Sequence, residues 1–212
     1  MKTSELIEAL AADPAPRGLS LRQGVLAALA LGAALSAAMF FATMGLRNDF
    51  VQAAHTVRFD LKFVDTLALL LPSAMLCLHL LRPDARVGAW ILALVAPVLL
   101  LAGAVIVELL IVPRELWGVR LIGTNALHCV TIIPLLSIAP LMALIYAMRA
   151  GAPQNPTLAG ALAGAAAAGI AATLYGTNCT DDSPLFVVSW YPLATLIVVV
   201  AGAVAGNRLL RW

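Results

Sequence analysis

Apolar side chains run along this chain in long blocks separated by short polar stretches, the pattern of segments that lie within a hydrocarbon medium. Six blocks stand out, at residues 24–44, 63–81, 87–112, 121–148, 157–176 and 186–206. Each is close to or above the ~20 residues a helix needs to cross a bilayer core. A membrane β-barrel would alternate in polarity over ~10 residues, and a stretch such as VGAWILALVAPVLLLAGAVIVELLIV has no period of two. Helices, which satisfy their own amides, are the remaining solution in lipid. The pattern predicts an all-α integral membrane protein: a compact bundle of six transmembrane helices over residues 24–206, an N-terminal segment 1–23 and a tail 207–212.

Composition agrees with the pattern. Of 212 residues 62% are hydrophobic and 11% charged, and mean hydropathy is +0.98, whereas a soluble domain carries about a quarter of charged residues. A formal net charge of +2 leaves no field with which to bind nucleic acid directly.

Basic residues in short loops set orientation. Lys2, Arg17, Arg22, Arg82, Arg86, Arg149, Arg208 and Arg211 fall on one side; Arg47, Arg58, Lys62, Arg114 and Arg120 fall on the other. The eight-to-five bias predicts that both termini are cytoplasmic. The first block is longer than the apolar region of a cleaved signal and starts after 23 residues, so the mature chain is expected to keep its N-terminus.

Gly160 with Gly164, and Gly202 with Gly206, form G-x-x-x-G faces. Such faces let backbones approach, either between the fifth and sixth helices or across a homodimer. Pro72, Pro97, Pro134, Pro140 and Pro192 fall inside blocks, as static kinks or as hinges. A small transporter or channel is the competing function on that ground, although ionisable residues near the midplane are lacking.

The polar remainder is too small for a nucleotide- or DNA-binding module, so contact with the cytosol falls to a peptide-sized element. MKTSELIEALAAD has that form. Thr3 or Ser4 can cap a helix, Glu5 and Glu8 suit its positive end, and Leu6, Ile7 and Leu10 form an apolar edge. A helix so short needs a surface to fold against, and an acidic polar face suits a protein groove better than a membrane.

Three cysteines divide by position. Cys129 lies about eight residues into the fourth block, roughly 12 Å deep. Cys179 lies in the loop GTNCTDDSPLF on the same outer, oxidising side. Cys77 lies toward the cytoplasm and is expected to pack. Cys129 and Cys179 are candidates for a disulfide or for a soft metal ion shared between thiolates, with His128, Asp181 and Asp182 as further ligands. Two unrelated buried thiols, a solvated Asp181–Asp182 pair and a His128 bonded within the bundle are the plainer readings. Asp65 and Glu108 are expected near outer ends, reaching water, Arg114 or Lys62. No nucleophile–base order, zinc helix or phosphate-cradling loop is present, and an enzyme is not expected.

The MKT-x-x-LI-x-x-LA-x-D start, the fourth-block stretch C-x-x-x-IPLLS from Cys129 to Ser137, Cys179 followed by DDSPLFV, Trp190–Tyr191 and the closing RLLRW are spread from end to end. In order and spacing they resemble the NrsF-type membrane anti-sigma factors, negative regulators of an extracytoplasmic-function (ECF) sigma factor in bacteria. Asn178 stands where that family often has His. The resemblance implies six helices, no obligatory cofactor and an N-terminal segment that holds the sigma factor at the membrane. It also implies that Cys129 and Cys179 respond to heavy-metal or oxidative stress.

Overall fold

A computed structural model of the chain describes residue 3, residues 20–82 and residues 88–211. The expected docking edge of Glu5, Leu6, Ile7 and Leu10 lies outside the described residues. The regular elements are all helical: α1 (Leu21–Thr43), the one-turn α2 (Phe50–Ala53), α3 (Val57–His79), a 3-10 stretch (Gly88–Leu94) running into α4 (Val95–Ile111), a 3-10 turn (Arg114–Leu116) and α5 (Trp117–Ile122), α6 (Ala126–Met148), α7 (Pro156–Gly176) and α8 (Pro184–Leu209). Six of these segments are long and apolar enough to cross a membrane.

Helix starts follow capping chemistry more closely than the edges of the apolar blocks. Ser20 and Gln23 exchange side-chain and backbone hydrogen bonds as a capping box and start α1. The Thr56 hydroxyl accepts from Phe59 N, so α3 begins at Val57 and takes in Arg58, Asp60 and Lys62 six residues before the apolar block. Asn155 and Ser183 cap α7 and α8, each with proline in the first turn.

Two expected continuous helices are broken. In the third block Gly88–Leu94 is 3-10, and Pro97 sits in the first turn of α4, where its missing N–H costs no helical bond. In the fourth, Leu121 and Ile122 belong to the short α5, and the chain turns at Gly123 before α6 begins. Gly123 has φ +60°, and a Cβ there would run into the ring of Phe186, which reserves the position for glycine.

The alanine- and glycine-rich α7 is the central helix, packed against α8, α3 and α6. Gly160 lies against the backbone of Gly202 and Gly206, and Gly164 against that of Val198 and Val199. The two G-x-x-x-G faces therefore serve the α7–α8 contact inside one chain. Gly32 of α1 lies against Pro140 of α6. Pro140 cannot bond to the Leu136 carbonyl one turn back, and the Ser36 hydroxyl of α1 donates to that oxygen at 2.9 Å instead.

Val25, Leu81, Met148 and Leu210 share one buried cluster, which brings the start of α1 and the end of α8 to the same end of the bundle. Cys77 lies in that cluster. Phe40, Cys129, Tyr175, Cys179 and Phe186 form a second cluster toward the opposite end.

Candidate functional site

The loop after α7 carries Cys179 and is held by cations from elsewhere in the chain. Arg47, just beyond α1, directs its guanidinium to Asp49 at 2.6 Å, to Asp182 at 2.9 Å and to the Cys179 carbonyl at 3.1 Å. Lys62 of α3 is wholly buried; its Nζ lies 2.5 Å from Asp182 Oδ1, 3.0 Å from the Cys179 carbonyl and 5.3 Å from the centre of the Phe59 ring. One backbone oxygen thus accepts from two cations, which offset the desolvation that burial imposes on them. The bond from Arg47 holds the Asp49 carboxyl below the ordinary carboxylate range; the same bond raises the Arg47 guanidinium, against its burial.

Asp181 ties this loop to the start of α6. Its Oδ2 accepts from Thr124 N at 2.9 Å, Asn125 N at 2.8 Å and Asn125 Nδ2 at 2.9 Å, placing a carboxylate at the positive end of the helix. The Asn125 carbonyl accepts from Cys129 N at 2.8 Å, and Cys179 Sγ donates to the Asp181 carbonyl at 3.8 Å. A continuous path of hydrogen bonds therefore runs from one thiol's loop to the other thiol's helix.

Both thiols are free and almost without exposure, 0% for Cys129 and 1% for Cys179, and they share a cluster with Tyr175, Tyr191 and Phe186. Burial pushes the Cys179 thiol up, partly countered by the Lys62 ammonium and the bond to Asp181. The pair can offer two soft sulfur ligands or the two halves of a disulfide. Cys77 is separated from them in the other cluster.

The other expected ligands are arranged differently. Asp181 and Asp182 are half-buried and committed to hydrogen bonds and ion pairs, so the solvated-loop reading is corrected. His128 is exposed on a different face of α6 from Cys129, a correction to its expected bonding within the bundle. Among the described residues no group of three His, Cys, Asp or Glu side chains is placed to hold a metal ion. Asn178, just before Cys179, donates to the Gly45 carbonyl at 3.0 Å and fastens the loop to the end of α1.

A second ion cluster closes the same end. Glu108 of α4 is 3% exposed and pairs with Arg58 at 2.7 Å and Arg120 at 2.5 Å, while Ser183 donates to it at 3.2 Å. The expected partners were Arg114 and Lys62; Arg114 instead lies over the Trp117 ring and Lys62 is taken by Asp182. From the sequence, Arg47, Arg58 and Arg120 enter only as charges that set topology. The signal for more was the spacing of Arg58 and Lys62, four apart on one face at the head of an apolar helix.

The sequence pattern of the family described as "NrsF: Negative regulator of sigma F" matches residues 10–212. The chain is 34% identical to the anti-sigma-F factor NrsF of Caulobacter vibrioides and 31% identical to the probable anti-sigma-F factor NrsF of Azospira oryzae, in each case over the full length of both chains. No solved structure matches it.

Proposed function

The chain belongs to the NrsF family, negative regulators of a sigma factor and not enzymes, and on that premise we propose a membrane-embedded anti-sigma factor with a thiol trigger. It holds an ECF sigma factor at the cytoplasmic face of the inner membrane through Leu6, Ile7, Leu10 and Glu5. It lets the factor go when Cys129 and Cys179 bind a soft metal ion or are oxidised. The observation that carries this reading is the path from Cys179 through Asp181 and Asn125 to Cys129, two buried thiols on separate elements joined by hydrogen bonds.

A change at the thiols has a route to the other end. Metal binding or oxidation draws the loop and the head of α6 into a different relation. The helix α6 is fastened to α1 by Ser36 on the Leu136 carbonyl and by Gly32 on Pro140, and α1 follows the N-terminal segment in the sequence. A tenfold weakening of sigma binding needs only about 1.4 kcal/mol of coupling.

The test is co-purification from detergent-solubilised membranes with and without residues 1–16, with bound proteins identified by mass spectrometry. A sigma factor recovered only with the full chain supports docking. In cells, Leu6→Asp or Leu10→Asp should switch on the regulon without stress, whereas Cys129→Ser or Cys179→Ser should retain the sigma factor through a cadmium or oxidant challenge. Normal induction in both cysteine variants would remove the trigger, and a silent regulon in both leucine variants at normal protein levels would remove the docking segment.

A further inference from the structure

A second site lies within the bundle, between α3, α4 and α8. A cavity of about 150 Å³ is lined by Asp65, Tyr191 and Thr195, with Leu69, Val98 and Leu101 among its apolar walls. Among the described residues, three buried side-chain oxygen or nitrogen atoms lack a hydrogen-bond partner, and two of them, Asp65 Oδ1 and Tyr191 Oη, belong to residues that line this cavity. Tyr191 is 3% exposed. Asp65 lies eight residues into α3 and Tyr191 seven into α8, so their backbones sit ~10–12 Å along their helices from the cysteine end.

An intramembrane carboxyl calls for a counter-charge or a proton, because low dielectric strongly disfavours an isolated anion. The nearest cation along the helix, Lys62, is committed to Asp182 and the Cys179 carbonyl. Among the described residues Asp65 has no ion pair. The polar lining consists of oxygen atoms able to accept hydrogen bonds, while the remaining wall is aliphatic and Val98 is 64% exposed on the helix surface. A primary ammonium on an apolar tail complements this arrangement: its three N–H donors meet the carboxylate and the two hydroxyls, and its tail lies along the aliphatic wall.

We propose that the Asp65–Tyr191 cavity binds the primary ammonium group of an amphiphile entering from the bilayer. Tyr191 also belongs to the buried cluster that holds Cys129 and Cys179, so the site borders the thiols. The ammonium comes either from a single-chain amine or from an aminolipid headgroup.

The full chain, purified in detergent, is unfolded thermally with tryptophan fluorescence as readout. Dodecylammonium, phosphatidylethanolamine, dodecyltrimethylammonium or dodecanol is added at one mole fraction in the micelle. Dodecylammonium or phosphatidylethanolamine should raise Tm by several degrees, and whichever does so identifies the source. Asp65→Asn and Tyr191→Phe should abolish the shift. An equal shift with dodecanol, with the trimethyl compound or in Asp65→Asn would overturn the site, as would no shift with either amine. Labelling of Asp65 in the wild-type chain by dicyclohexylcarbodiimide, mapped by mass spectrometry, does not depend on a variant folding. The amine should block it, and an unlabelled or unprotected Asp65 would equally overturn the proposal.

Discussion

The ammonium of Lys62 donates to the carbonyl of Cys179 across 3.0 Å and a separation of 117 residues, from a side chain with no solvent exposure. The loop is thus gripped by its backbone. The sulfur makes a long contact to the Asp181 carbonyl at 3.8 Å while the loop that carries it is held.

This grip predicts unequal costs for its two partners. Asp182→Ala strands a buried ammonium and should cost about 3–5 kcal/mol. Lys62→Met leaves Asp182 with Arg47 and should cost about 1–2 kcal/mol. The double variant should be more stable than Asp182→Ala alone. Denaturant unfolding of the three proteins in detergent measures the coupling, and simple additivity would show that the pair is not energetically linked.

Asp181 is expected to control access to the thiol as well as stability. Asp181→Ala removes the acceptor for both backbone amides at Thr124 and Asn125 and should cost about 1–2 kcal/mol. Maleimide labelling of Cys179 in a Cys77→Ser, Cys129→Ser background should become several-fold faster. An unchanged rate would mean that Asp181 caps α6 without holding the loop.

Gly202→Val should separate α7 from α8 at the cost of about 3 kcal/mol or more, since an added side chain there meets the Gly160 carbonyl. Its effect should appear in Tm, with the oligomeric state unchanged on size-exclusion chromatography with light scattering. Loss of an assembly without loss of Tm would place this face between chains instead.

The raised thiol of Cys179 fixes the direction of a pH effect. A folded-state value above the unfolded one leaves stability intact below the unfolded value, near 8.5. That contribution is lost as pH climbs through the folded value, because the unfolded chain ionises first. Alkaline unfolding should therefore start later in Cys179→Ser than in the wild type. At neutral pH the thiol is protonated, so cadmium binding should release protons and weaken as pH falls, a dependence that calorimetry in buffers of different ionisation enthalpy would read out.

The number and class of the long helices were legible because each apolar block carries its own reason to be helical. Block edges were less so. Thr56 extends α3 outward by a cap bond, and Gly123 ends a helix that hydropathy alone would continue. The tie between Cys179 and Cys129 through Asp181 had no local signature, and Asp181 and Asp182 looked like an ordinary polar loop. Glu108 was visible as an unusual acid, but its partners Arg58 and Arg120 come from two other elements.

The sequence by itself determined an all-helical chain with six segments suited to a bilayer, since satisfying the backbone in hydrocarbon is a requirement met within each segment. Its end-to-end motifs also pointed to the NrsF family. Only the tertiary structure decided that Lys62 serves Asp182 and Cys179, that Ser36 repairs the carbonyl left by Pro140, and that Asp65 and Tyr191 share a cavity. These relations depend on how separate helices cross, and a buried charge or an orphaned oxygen takes whatever complementary group that crossing brings within reach.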